Sequence, residues 1–209
     1  MLINIRELCE KYNIIPKGVI HIGAYNGEEN IVYQELKIKK IIWIEAIKEL
    51  SDKLKKRFEN NNHIRVIQAC ISDKHEKVMF NIANNQASSS LLDFGTHKEQ
   101  YPKIDVQEVR ELYTITMDSL IKKRKINMDD YDFLNIDIQG VELKALQGFK
   151  ENLKHIKYIY TEANVEELYK GCCKLDELDE FLNDFGFNRV ETKILKHRGF
   201  GDVFYLNIL

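Results

Sequence analysis

Five short apolar runs limit what this chain can fold into: VIHI at 19–22, IIWI at 41–44, IRVI at 64–67, FLNI at 133–136 and IKYIY at 156–160. Each is β-branched or aromatic and nearly continuous, which is the pattern of strands buried on both faces of a parallel sheet. Between them, apolar residues recur at helical spacing: Ile47, Leu50, Leu54 and Phe58, then Val141, Ala145 and Phe149. A third stripe, Leu175, Leu178, Phe181 and Leu182, stops at Gly186. Strand, helix and strand repeated in this way imply right-handed crossovers and a doubly wound, Rossmann-like α/β fold with a mostly parallel sheet.

Two segments depart from the alternation. Residues 77–115 hold KVMFNI, the polar stretch NNQASSS and LYTIT, so extra strands around a lid loop are expected between the third and fourth core strands. Residues 187–206 predict an antiparallel closing hairpin turned at 199–202, and residues 1–16 predict an amphipathic helix. A single domain over residues 1–209 is the expected organisation.

Composition narrows the partners. With 31 basic and 33 acidic side chains the net charge is -2, which gives no reason to expect nucleic acid or an anionic membrane as partner. Lys122 to Lys125 form a short basic run, but Asp129, Asp130 and Asp132 follow, as at a solvated helix end. No apolar run approaches a bilayer span, and the charged N-terminus is unlike a signal peptide, so a soluble, cytoplasmic protein is expected. Oligomeric state has no signature here. Neither the four cysteines nor the six histidines fall at zinc-ligand spacing, so no metal ligands are assigned. A divalent ion held by carboxylates such as Asp137 remains open, because oxygen ligands leave little spacing signal.

The first run enters Gly23-Ala24-Tyr25-Asn26-Gly27, with a helix expected from about Glu28. A turn lacking Cβ atoms lets backbone approach a ligand at the C-terminal edge of the sheet. Glu45 ends the second run, 22 residues after Gly23, where a carboxylate can accept both hydroxyls of a ribose. A nucleoside cofactor is thus expected. The turn is GxxxG rather than GxGxxG, and Glu28 and Glu29 oppose a pyrophosphate, which disfavours NAD and suits the cationic S-adenosylmethionine. Asp137 ends the fourth run beside the first, and Gly140 permits the next turn.

The segments VIHIGAYNGEE, WIEA, QACISD, SSSLL, TITMDSL, FLNIDIQGVELKALQGF and YIYTEANVEELYKGC resemble, in order, those of FkbM-type methyltransferases, with IDIQGVELKALQG the most specific. The resemblance covers residues 17–187 and implies a class I methyltransferase fold with S-adenosylmethionine as donor and S-adenosylhomocysteine as product. It implies methyl transfer to a hydroxyl of a small-molecule or glycan acceptor, most often a sugar. Carried over, Gly23, Tyr25 and Gly27 would line the methionine moiety, Glu45 would hold the ribose, Ser72 and Asp73 the adenine, and Asp137 would lie near the amino group and sulfonium. His21 stands where many members carry Asp, so Glu28 is the alternative acidic contact. For the proton of the acceptor hydroxyl the candidate bases are Asp137, Glu162, His97 and Glu142, the last equally readable as a helix-start carboxylate. Glu162 ends the fifth run, Asn164 could orient a substrate hydroxyl, and Ser89 and Ser90 of the lid are candidate substrate contacts. Loops at 81–110 and 163–173 would set the acceptor. An NAD-dependent oxidoreductase and a non-catalytic cofactor-binding module are the competing readings.

Overall fold

The computed structural model describes residues 1–207. Its elements in chain order are α1 (Ile5–Lys11), β1 (Gly18–Ile22), α2 (Asn30–Glu35), β2 (Lys40–Glu45), α3 (Lys48–Arg57), β3 (Ile64–Gln68), β4 (Cys70–Ile71), β5 (Lys77–Ala83), α4 (His97–Gln100), β6 (Val106–Ile115), α5 (Met117–Arg124), β7 (Phe133–Ile136), α6 (Glu142–Gln147), β8 (Tyr158–Asn164), α7 (Leu175–Asp184), β9 (Phe187–Leu195) and β10 (Phe200–Asn207). The main sheet runs β3-β2-β1-β7-β8-β10-β9, parallel except for β10, which is antiparallel to both β8 and β9.

The unbroken apolar runs follow from burial on two faces. Ile20, Ile22, Ile42, Ile44, Leu134 and Ile136 pack with the inner residues of α5, α6 and α7 on one side. Their neighbours along the strands, Val19, Ile41, Trp43 and Phe133, pack with α1, α2 and α3 on the other. Alternate side chains thus serve different layers, and neither face can be polar without cost.

Register then fixes the height of the strand ends. Ile22 lies opposite both Ile44 and Ile136, and Ile136 lies opposite Thr161. The next residues, Glu45, Gly23, Asp137 and Glu162, therefore leave the sheet as one row, continued by Asp202, which pairs with Glu162. Strand order reverses about β1, with β2 on one side and β7 on the other, so this row crosses the switch point where open α/β sheets bind ligands.

Several boundaries differ from the sequence expectation. The fifth core strand is not 156–160 but Tyr158–Asn164, because Ile156 closes the preceding turn while Thr161, Glu162 and Asn164 are polar yet buried. The closing hairpin turns at 196–199, where Gly199 adopts φ +67. Gly201 lies inside β10 instead, its Cα side so close to β9 that a Cβ would meet the carbonyl oxygen of Lys193 at 2.1 Å. The N-terminal helix is confined to Ile5–Lys11, capped by the Asn4 side chain and ended before Asn13 at φ 51. The inserted strands do not join the main sheet: β5 and β6 are antiparallel, and with short β4 they form a separate sheet ordered β4-β6-β5. Among the described residues no helix is long and apolar enough to cross a membrane.

Candidate active site

Backbone contacts bring the β1 and β7 turns together. Asp137 N–H donates to the Ile22 carbonyl at 3.0 Å, and Gly23 has φ +90. A Cβ on Gly23 would stand 1.8 Å from the Asp137 carbonyl oxygen, so only glycine allows this approach. Across the row, one Glu45 carboxylate oxygen accepts from Tyr25 N–H and the other from Ile47 N–H, each at 2.8 Å. Those bonds favour the carboxylate, but burial outweighs them and pushes the Glu45 carboxyl up to about 7. The resulting cleft, about 550 Å³, has Gly23, Tyr25, Glu45 and Asp137 on its polar side and Ile47, Cys70, Ile71 and Phe80 on its apolar side.

A second chamber of about 1260 Å³ shares Gly23, Tyr25, Asp137 and Gln139 with the first. At the junction the Gln139 side-chain amide uses all its principal groups. Its two N–H bonds go to Asp137 Oδ1 at 2.6 Å and Glu162 Oε2 at 2.7 Å, and its oxygen accepts from the Tyr169 hydroxyl at 2.6 Å. Gln139 pays for this with φ +58, followed by Gly140 at φ +100. The turn is held by Glu142, whose carboxylate accepts from Ile138 N–H at 3.0 Å and Gly140 N–H at 3.1 Å. Burial, the neighbouring charges of Asp137 and Glu142, and a hydrogen bond with Asp137 hold the Glu162 carboxyl well above the usual range. Glu162 is therefore biased towards its protonated form beside Asp137.

The predicted residues divide by location. Gly23, Tyr25, Glu45 and Asp137 converge on the first cleft with Ser89; Glu28, Glu162 and His97 line the second chamber. Gly27 lines neither: at φ +65 it closes the turn, and Arg57 ties the Asn26 carbonyl at 2.7 Å. Ser72 and Asp73 also lie outside both, bonded to each other at 2.9 Å, because β4 turns towards β6; Ala69, Cys70 and Ile71 form that wall instead. Ser90 is not a wall residue, since its hydroxyl donates to the Gln139 carbonyl at 2.7 Å and accepts from Leu92 N–H at 3.0 Å. Ser89 faces the cleft while its hydroxyl accepts from Ala83 N–H at 3.0 Å. Asn164 is buried at the end of β8, away from both chambers, its amide without a protein partner. Glu142 is likewise off the walls and serves the turn, with burial pushing it up to about 7.

His97 opens α4, stacked on Phe94 with ring centroids 4.4 Å apart, and burial lowers its pKa. Its Nε2 lies 3.3 Å from the Ser88 hydroxyl, and its buried Nδ1 has no protein partner. The lid carrying it is fastened to the 166–172 loop by Gly95 and His97 N–H bonds to the Leu168 carbonyl, at 2.9 and 3.1 Å. His21, expected to leave the acidic contact to Glu28, pairs with Tyr33. Tyr33 accepts from Asn135 at 2.8 Å, its hydroxyl oxygen lies 3.0 Å from His21 Nδ1, and burial takes His21 down to about 3. His21 is neutral and contributes no charge.

Gln139 and Tyr169 escape sequence reasoning. Gln139 falls in the turn between Asp137 and Gly140, which marks it as near the site, but Tyr169 is brought in only by tertiary packing. Among the described residues, no three His, Cys, Asp or Glu side chains converge as a metal ion would require.

The arrangement fits S-adenosylmethionine: a glycine turn at Gly23 that lets the β1 and β7 strand ends close on each other at the cleft, a buried carboxylate at the end of β2, and apolar residues along the same cleft. Comparison with known proteins agrees. The family model described as the methyltransferase FkbM domain matches residues 21–189. The 2-O-methyltransferase NoeI of Sinorhizobium fredii is 23% identical over 177 residues, covering 80% of this chain and 71% of that protein. Among solved structures, the FkbM methyltransferase of Methylobacillus flagellatus aligns with TM-score 0.55 and 13% identity over 90% of this chain and 43% of that one. Streptococcus pneumoniae Sp1610, a candidate tRNA (m1A22) methyltransferase solved with S-adenosyl-L-methionine, aligns with TM-score 0.54 and 15% identity over 99% of this chain and 73% of that one. At such identities the structural matches establish the fold.

Proposed function

The chain belongs to the FkbM methyltransferase family and is an S-adenosylmethionine-dependent methyltransferase, and from that premise we propose that it methylates a hydroxyl oxygen of a saccharide. The oxidoreductase and non-catalytic readings give way to the family assignment. One observation carries the choice of acceptor group: Asp137 and Glu162 are clamped by one amide where the donor cleft opens into a polar chamber. An alkyl hydroxyl is a poor nucleophile until its proton is drawn off, and a carboxylate at that junction is placed to draw it. The 2-O-methyltransferase name of the Sinorhizobium relative points the same way.

The backbone at Gly23 and Tyr25 would hold the methionine part of the donor, Glu45 the ribose, and the wall of Cys70 and Ile71 the adenine. Bound S-adenosylmethionine supplies an electrophilic methyl group on a sulfonium. Asp137 takes the acceptor proton as the methyl–oxygen bond forms and the methyl–sulfur bond breaks, which removes its negative charge. Burial and the charge of Asp137 hold the neighbouring Glu162 well above the usual carboxylate range. Gln139 fixes the plane of both carboxyls, and positioning of this kind is as large a contribution as the base itself. His97 and Asn135 line the second chamber, where the acceptor would lie.

The test is S-adenosylhomocysteine release with a panel of methyl glycosides, repeated with Asp137→Asn. Turnover with a saccharide, lost by about a hundredfold or more in the variant while S-adenosylhomocysteine still binds, supports the reading. Turnover confined to non-saccharide acceptors, or full activity in Asp137→Asn, overturns it.

A further inference from the structure

Like the donor cleft, the second chamber has acidic side chains in its walls, and it carries more of them. Its carboxyl groups are Glu28, Glu29, Asp137, Asp202 and Glu162, the last biased towards its protonated form, and its histidines, His21 and His97, have their pKa lowered by burial. No lysine or arginine side chain lines it among the described residues. The α-ammonium of Met1 is the cationic group there, close enough to bias Glu29 and His21. Of the basic side chains near the rim, Lys98 pairs with Asp105, and Arg198 lies behind the wall residue Tyr101, donating to its hydroxyl at 2.7 Å.

Four backbone donors of the neighbouring turn are already engaged. In the turn after β1, where a phosphate would look for N–H groups, Gly23 and Ala24 donate to the Ile44 carbonyl at 2.9 and 3.1 Å. Tyr25 donates to Glu45 at 2.8 Å and Gly27 to the Ala24 carbonyl at 2.7 Å. At the start of α2, Glu28 and Glu29 place carboxylates where a helix would otherwise attract an anion. A phosphate in this chamber would face the carboxyl groups of Glu28, Glu29, Asp137 and Asp202 with no lysine or arginine on the walls to offset them, and like-charge juxtaposition costs several kcal/mol.

Resting on the saccharide reading above, we infer that the acceptor site takes a saccharide free of phosphate, neutral or amine-bearing, and excludes nucleotide-linked sugars and nucleic acid. Methyl transfer then follows the step that removes an activating phosphate: a glycosyl transfer, which expels the nucleoside diphosphate, or a phosphate-ester hydrolysis, must supply this substrate.

Calorimetric titration of the protein saturated with S-adenosylhomocysteine tests this without turnover. The probes are one hexose as methyl glycoside, the corresponding free-amine hexosamine glycoside, the hexose 1-phosphate and the UDP-hexose. The uncharged or amine-bearing forms are expected to bind at least about 100-fold more tightly than both phosphorylated forms, about 2.7 kcal/mol. In Glu28→Lys/Glu29→Lys the gap is expected to narrow by about tenfold or more, about 1.4 kcal/mol. Equal or tighter binding of the phosphorylated sugars to the unaltered protein overturns this inference and leaves the saccharide reading standing. S-adenosylhomocysteine release with a neutral alcohol that is no sugar, and with no saccharide, overturns the saccharide reading but not the charge rule. Release with an RNA oligonucleotide overturns both.

Discussion

Donor affinity should depend on pH through Glu45. Its carboxylate is 6% exposed, and burial pushes it up to about 7 in the free protein despite two backbone N–H bonds. The two hydroxyls of a ribose are donors and need the carboxylate, not the acid. Lowering the pH through about 7 loads a proton onto Glu45, and that proton opposes the ligand. Apparent Kd for S-adenosylhomocysteine then scales as one plus ten to the power of the pKa minus the pH. Between pH 8 and pH 6 the factor grows about tenfold, or about 1.4 kcal/mol. Binding near pH 6.5 should release a proton, seen calorimetrically as a heat that varies with the ionisation enthalpy of the buffer. Glu45→Gln removes the titration, so its affinity should be weak and flat across the same range. A Kd that stays level from pH 6 to 8 in the natural protein, or a slope that persists in Glu45→Gln, would refute the reasoning.

Two further outcomes test the turns. Gly23→Ala forces a Cβ against the Asp137 carbonyl at 1.8 Å and should weaken S-adenosylhomocysteine by about a hundredfold or more. Gly171→Ala, at φ +71 with nothing within 4 Å, should cost only the backbone strain of about 1–2 kcal/mol in thermal unfolding and leave binding unchanged. Gln139→Leu removes the N–H at 2.7 Å from Glu162 and the one at 2.6 Å from Asp137. Losing a charge-assisted bond of about 1.5 kcal/mol should move the acid limb of the kcat profile about one pH unit upward, and an unmoved limb would show that the amide does not position the pair.

How far the sequence could be read depends on whether one strand or several define a feature. The runs at β1, β2 and β7 are legible because two-sided burial makes each almost wholly apolar, whereas β3, at the sheet edge, shows through Ile64, Val66 and Ile67 around an exposed Arg65. At β8 the rule fails, because Thr161, Glu162 and Asn164 are buried polar residues and hide the strand's second half. Gly23, Glu45 and Asp137 stand out because each follows its own run, and the parallel register makes equal offsets into neighbours. Ser72 and Asp73 also follow a run, but β4 leaves the main sheet to pair with β6, a departure that two residues cannot announce. The clamp is illegible for a related reason. Gln139, Glu162 and Tyr169 belong to three different segments, and only the adjacency of β7 and β8 brings them within hydrogen-bond reach.

The hydroxyl of Ser90 that grips the Gln139 carbonyl at 2.7 Å has a practical meaning for redesign. The lid is the obvious cassette to exchange when a new acceptor is wanted, yet its inner edge is bolted to the peptide that aims both carboxylates. A grafted lid lacking a serine at that point would alter selectivity and slacken the chemistry together, and screens for new acceptors would discard it as inactive. Libraries that vary residues 84–105 while retaining Ser90 keep those two properties separable.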